Sequence, residues 1–134
     1  MTVILTLSDG DGMLFNKRRQ SRDRVLIENL MSLIGTKALY ITAFSQKLFD
    51  SYSNVKIIDS PENLPEDAFF FVESLPLSPF CKKIEKMIIY RWNRSYPADL
   101  YLDTPPSKIG LKLTSTVDFE GHSHEKITRE IYSS

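Results

Sequence analysis

Two aspartates close together are the most suggestive chemical feature of the sequence. Asp9 and Asp11 lie in an Asp-Gly-Asp-Gly stretch that only Ser8 separates from the apolar run Thr2–Leu7. The apolar run predicts a buried strand, and the two glycines predict a tight turn. Two carboxylates at the end of a strand can hold Mg²⁺ while one oxygen attacks a phosphorus atom. Phosphoryl transfer is therefore the first chemistry that the residues indicate.

This stretch resembles the first motif of haloacid-dehalogenase-like phosphohydrolases, in which a strand ends in Asp-x-Asp-Gly. The resemblance implies that Asp9 is the nucleophile and that Asp11 is the general acid and base. It also places Thr42, after a second predicted strand, in the family's second motif. A small Mg²⁺-dependent phosphohydrolase is the alternative function that the sequence leaves open.

The other reactive side chains predict no site of their own. His122 and His124 are two residues apart, but no third metal ligand stands at a fixed spacing from them. Cys81 is the only cysteine, which excludes a cysteine-based zinc site and an internal disulfide. Apart from the Mg²⁺ of the alternative function, the sequence therefore predicts neither a metal site nor a cofactor.

Strand-like and helix-like segments alternate along the chain. This alternation predicts a single α/β domain over residues 1–134, with three layers and a central, largely parallel sheet flanked by helices. It also allows the last strands to pair antiparallel at an edge. The predicted strands are Thr2–Leu7, Met13–Phe15, Ala38–Ile41, Val55–Ile58, Ala68–Val72, Leu100–Leu102 and Ile109–Phe119. The predicted helices are Ser21–Ile34, residues 43–52, a short one after Ser60, Ser78–Trp92 and Ser123–Tyr132.

Composition excludes several classes of protein. The 134 residues hold 17 basic and 17 acidic side chains, and a net charge of zero argues against a protein that coats nucleic acid. No apolar run reaches the roughly 18 residues of a membrane span, and the first residues lack the basic region of a signal peptide. A single cysteine fits a reducing compartment. We therefore predict a cytoplasmic protein with no membrane partner and no direct nucleic-acid partner.

Charge is patterned although the total is zero. Residues 17–24 hold five basic side chains against one acidic, and residues 82–94 show the same ratio. Residues 59–73 hold five acidic side chains and no basic one. Such separation can steer a charged partner towards one face of the protein.

The stretch Leu7–Arg24, together with the size of the chain, resembles immunity proteins of bacterial contact-dependent growth inhibition systems, in particular those paired with ribonuclease toxins. The resemblance implies a protein without catalytic activity that binds the toxin's C-terminal domain and blocks its active site or its access to RNA. Carboxylates suit the basic cleft of a nuclease. The predicted partner-binding residues are Asp9, Asp11, Asp59, Glu62, Glu66 and Asp67.

Overall fold

The computed structural model describes residues 1–134, and its central element is the first predicted strand, β1. The strands are β1 (Thr2–Leu7), β2 (Gly12–Phe15), β3 (Arg18–Arg19), β4 (Leu39–Ile41), β5 (Val55–Ile57), β6 (Phe69–Phe71), β7 (Lys86–Arg91), β8 (Leu100–Tyr101), β9 (Lys112–Phe119) and β10 (Ile127–Ser133). The α-helix is α1 (Arg24–Ile34), and 3₁₀ helices span Ala43–Phe49, Pro61–Asn63, Ser78–Lys83 and Pro106–Ile109. No helix is long and apolar enough to cross a membrane.

The main sheet has seven strands in the order β5-β4-β6-β1-β7-β10-β9. The five strands from β5 to β7 are parallel, whereas β10 and β9 run antiparallel at one edge. A smaller antiparallel sheet has the order β3-β2-β8. This confirms the predicted α/β class with a mainly parallel sheet and antiparallel edge strands.

Apolar side chains cover both faces of the main sheet. In β1, Leu5 points to one face and Ile4 to the other, as the two-residue period of a strand requires. The face of Ile4 packs against α1, which contributes Leu26 and Leu30. The face of Leu5 packs against the smaller sheet and the 3₁₀ helix Ser78–Lys83. The core thus consists of two apolar layers with the sheet between them.

The helix α1 was predicted from Ser21 and begins three residues later. Asp23 is its N-cap, because its carboxylate accepts hydrogen bonds from the backbone N–H groups of Val25 and Leu26. Gly35 ends the helix with a φ of 68°, a conformation that glycine adopts easily. The shift of the cap from Ser21 to Asp23 releases Ser21 for other contacts.

Two predicted helices are wrong. The stripe within Ser78–Trp92 indicated one long helix, but only Ser78–Lys83 is helical, as a 3₁₀ helix, and β7 follows it. Met87 to Tyr90 are all buried in β7, so this continuous apolar run shows the period of neither element. The predicted final helix is also a strand, β10, which packs Ile127 into the core.

The chain leaves neighbouring parallel strands on opposite faces of the sheet. The crossover that returns from β1 to β4 runs through α1, and the connection after β4 stays on that face, where Phe49 packs, whereas the connection after β6 lies on the other face, where Leu77 and Phe80 pack. A crevice therefore opens at the carboxyl end of β6, between β1 and β4. In open α/β sheets, ligands bind at such a switch point.

Candidate active site

The predicted aspartates lie in an exposed turn and do not form a metal site. Asp9 is exposed and accepts a hydrogen bond from the Ser95 hydroxyl at 3.3 Å. Asp11 forms an ion pair with Arg91, with 2.8 Å between the nitrogen and the carboxylate oxygen. Thr42 follows β4, which β6 separates from β1. No group of three or more His, Cys, Asp or Glu side chains is placed to hold a metal ion.

The acidic residues 59–67 lie at the opposite end of the main sheet from the turn that holds Asp9 and Asp11. Residues 59–67 precede β6, whereas the turn follows β1, and these two strands are parallel. The side chains of Asp59, Glu62, Glu66 and Asp67 are exposed there. The structure therefore does not bring the predicted partner-binding carboxylates onto one surface.

Asp23 is the centre of a buried polar cluster that the sequence did not reveal. Its side chain is fully buried and accepts hydrogen bonds from the backbone N–H groups of His122 and Ser123, both at 2.9 Å. These donors belong to the loop between β9 and β10, which thereby closes over the first turn of α1. Burial opposes ionisation of Asp23, but the backbone N–H groups and His124 outweigh it and hold the pKa of this carboxyl far below its ordinary value.

His124 extends the cluster towards the surface. Its Nδ1 lies 2.8 Å from an Asp23 oxygen, and its Nε2 lies 3.0 Å from the Ser21 hydroxyl. The Tyr96 hydroxyl is 3.1 Å from the same Nε2, and Trp92 stacks on the ring with the centroids 4.6 Å apart. Because Asp23 accepts the proton on Nδ1, Nε2 of the neutral ring is the acceptor for a hydroxyl.

Ser21, His124 and Asp23 thus form a hydroxyl–imidazole–carboxylate relay, hereafter the relay. Both distances lie in the range expected for a nucleophile beside its base and for a base beside its orienting group. His124 is buried, whereas Ser21 is half-buried and lines a surface pocket. The relay therefore connects a buried charge to a position that a substrate can reach.

The surface around Ser21 is strongly basic. The basic pocket, which Ser21 lines, is formed by Lys17, Arg18, Arg19, Ser21, Arg22 and Phe44. It shares Arg22 with a cleft of about 530 Å³ beside α1, which also contains Arg24, Lys47, Leu48 and Tyr52. Among these cations only Arg19 takes part in an ion pair. The basic pocket and the cleft together suit a small anionic ligand with an apolar part.

A second buried carboxylate, Glu73, lies at the carboxyl end of β6. Its side chain is 3% exposed and forms a two-pronged ion pair with Arg19, through Nη2 at 2.7 Å and Nε at 2.5 Å. The buried Ser45 hydroxyl donates to it at 2.6 Å. This group fills the crevice where the topology places a ligand.

The main sheet and its crossovers have a known counterpart. The fold is that of dihydrofolate reductase. A dihydrofolate reductase from Enterococcus faecalis, in complex with NADP(H) and RAB-propyl, is similar to the chain with a TM-score of 0.66. The similarity covers 98% of this chain and 94% of that one, at 7% sequence identity. No protein-family model and no curated protein matches the chain.

This similarity corrects the predicted function. The chain shares its fold with an enzyme, dihydrofolate reductase, which is neither an immunity protein nor a haloacid-dehalogenase-like phosphohydrolase. The predictions of a toxin inhibitor without catalytic activity, and of a phosphohydrolase that uses Asp9 and Asp11, are therefore wrong. The toxin domain as a partner depended on that function, and no contact in the structure tests it.

The crevice at β6 does not fit the phosphates of a dinucleotide. Phosphate sites of this kind use glycines and free backbone N–H groups so that the chain can approach the anion closely. The residues that follow β6 include no glycine, since they are Val72, Glu73 and Ser74. The Glu73 carboxylate would also repel a phosphate. The remaining cavity beside it measures about 10 Å³, which is about the space of one water molecule.

Sequence reasoning missed the relay for a simple reason. Asp23 and His124 are 101 residues apart, and their contact depends on how β10 pairs with β7. One local signal was available, because Asp23 stands where an N-cap aspartate fits directly before the apolar stripe of α1. Nothing in the spacing connected that cap to the histidines.

Proposed function

We propose that the protein is an enzyme that hydrolyses an ester bond in a small anionic molecule. The observation that carries this proposal is the relay of Ser21, His124 and Asp23, which opens into the basic pocket. The same arrangement of groups occurs on unrelated folds and is identified by geometry and not by sequence position. The fold supplies the scaffold, and the chemistry is argued from the site.

In the proposed reaction the Ser21 oxygen attacks the ester carbonyl carbon. His124 Nε2 takes the hydroxyl proton and then gives it to the leaving alcohol, which leaves an acyl group on Ser21. Water then attacks that acyl group while His124 Nε2 takes its proton. The bond between the acyl carbon and the Ser21 oxygen breaks, His124 returns the proton to the Ser21 oxygen, and the acid leaves. Asp23 orients the imidazole and stabilises its positive charge during both steps.

The charges around Ser21 define the class of substrate. Lys17, Arg18 and Arg22 line the same pocket, so a carboxylate or phosphate group on the substrate is attracted to it. Their positive charge also favours the negative oxygen that develops on the attacked carbonyl. The adjoining cleft has apolar contacts, at Leu48 and Tyr52, for the rest of the molecule.

The test is a comparison of esterase activity between variants. We expect hydrolysis of anionic nitrophenyl esters by the wild type, and a fall in kcat/KM of about 10³-fold or more in both Ser21→Ala and His124→Gln. Ser107→Ala is the matched control, since this exposed serine lies far from the relay in sequence and lines none of its pockets. Hydrolysis that is unchanged in Ser21→Ala would contradict the proposal.

We propose the cytoplasm as the location of the protein, because the single cysteine fits a reducing compartment.

A further inference from the structure

The Glu73 carboxylate is bound by its surroundings in the way that a protein binds an anionic ligand. Arg19 contributes two parallel N–H groups, and Ser45 contributes a hydroxyl. The forked guanidinium fits a carboxylate and a phosphate equally well. Each of the three side chains comes from a different part of the chain, so the group closes only when the sheet is complete.

The position of Glu73, Arg19 and Ser45 in the fold also indicates a ligand site. Glu73 follows β6 in the crevice between β1 and β4, where the connections leave the sheet on opposite faces. Ligands of open α/β sheets bind in such crevices. We propose that Glu73 occupies, as a ligand from within the chain, an anion site formed by Arg19 and Ser45, and that it closes this site to phosphate-bearing ligands such as NADP(H).

The contact between Arg19 and Glu73 could also be an ordinary ion pair that only stabilises the fold, and the two interpretations predict different behaviour of Glu73→Ala. If the carboxylate only stabilises the fold, its removal lowers the stability of the protein, and phosphate does not raise that stability again. If Arg19 and Ser45 form an anion site, removal of the carboxylate empties it, and phosphate from solution takes its place. An anion site therefore predicts that phosphate stabilises Glu73→Ala and does not stabilise the wild type.

The experiment measures the thermal midpoint of unfolding while inorganic phosphate replaces chloride at constant ionic strength. We expect phosphate to raise the Tm of Glu73→Ala by a few degrees more than that of the wild type. Glu130→Ala is the matched control, because it removes another partly buried carboxylate from an arginine, Arg91. The double variant Arg19→Ala/Glu73→Ala should lose the effect of phosphate.

Binding of NADPH, followed by its fluorescence, tests the second half of the proposal. We expect no saturable binding to the wild type, whereas Glu73→Ala gains weak binding. Micromolar binding to the wild type would overturn the closed site, and a Tm of Glu73→Ala that does not respond to phosphate would overturn the anion site. Should Glu73→Ala not fold, Glu73→Ser removes the charge and most of the side-chain volume while it keeps a polar group, and it must show the same two differences. The inference does not rest on the proposed hydrolysis.

Discussion

The molecule contains two buried carboxylates beside one small cavity at the carboxyl end of β6, and their partners differ. Asp23 is held mostly by backbone N–H groups and also contacts the imidazole of His124, whereas Glu73 is held by a cation and a hydroxyl. The first remains a localised negative charge that orients His124. The second is neutralised by Arg19. Burial alone therefore does not identify a catalytic carboxylate, because its partners decide what it can do.

Replacement of Asp23 should have the largest effect on stability. Asp23→Ala removes the cap of α1 and the anchor of the loop between β9 and β10, and it leaves several buried donors without a partner. We expect a loss of about 3–5 kcal/mol in the free energy of unfolding. Urea denaturation measures it, with the exposed Asp67→Ala as control. A loss below about 1 kcal/mol would show that the backbone donors find water instead.

Replacement of Glu73 should cost less, because its partner can be hydrated. Arg19 is 22% exposed and also lies over the ring of Phe44, so water reaches it once the carboxylate is gone. We expect Glu73→Ala to lower the free energy of unfolding by about 2–3 kcal/mol in chloride buffer. The same urea titration gives the value. A loss larger than that of Asp23→Ala would reverse the ranking of the two carboxylates.

The pH dependence of stability should report the ionisation of Asp23. In the unfolded chain the Asp23 carboxyl takes up a proton near its ordinary pKa of 3.8, whereas the folded protein keeps it ionised at lower pH. Below about pH 4 the unfolded state therefore binds more protons, and stability falls as the pH falls. Thermal unfolding as a function of pH measures this slope.

The control for that slope is Asp23→Asn. The pKa of Asp103 is also lowered, because the N–H groups of Leu77 and Ser78 outweigh its burial, so part of the slope remains in the variant. We expect the slope of Asp23→Asn to be clearly smaller than that of the wild type. Equal slopes would mean that Asp23 is not ionised in the folded protein at low pH.

The smallest effect is expected at the exposed turn after β1. Asp11 is 40% exposed in its ion pair with Arg91, and such pairs contribute about 0–1 kcal/mol. Asp11→Asn should therefore lower the free energy of unfolding by no more than this, and esterase activity should stay at the wild-type level. Loss of activity in this variant, with the fold intact, would restore a catalytic role to the turn.

The sequence predicted the elements with a clear hydrophobic period better than those without one. The apolar run of β1 and the stripe of α1 follow the periods of a strand and a helix, so both were recognised. The run in β7 is buried on both faces and shows no period of its own, and the stripe that starts before it, at Phe80 and Ile84, predicts a helix instead of the strand. The relay and the Arg19–Glu73 pair could not be predicted, because each joins residues more than 50 positions apart.

The central claim is that Ser21 is a nucleophile activated by His124. Labelling with a fluorophosphonate, followed by mass spectrometry of the digested protein, tests it most directly. We expect one adduct per chain, on Ser21, and its disappearance in His124→Gln, in which Ser21 itself is retained. Absence of an adduct on Ser21 in the folded wild type, or equal labelling of Ser21 in His124→Gln, would contradict the account.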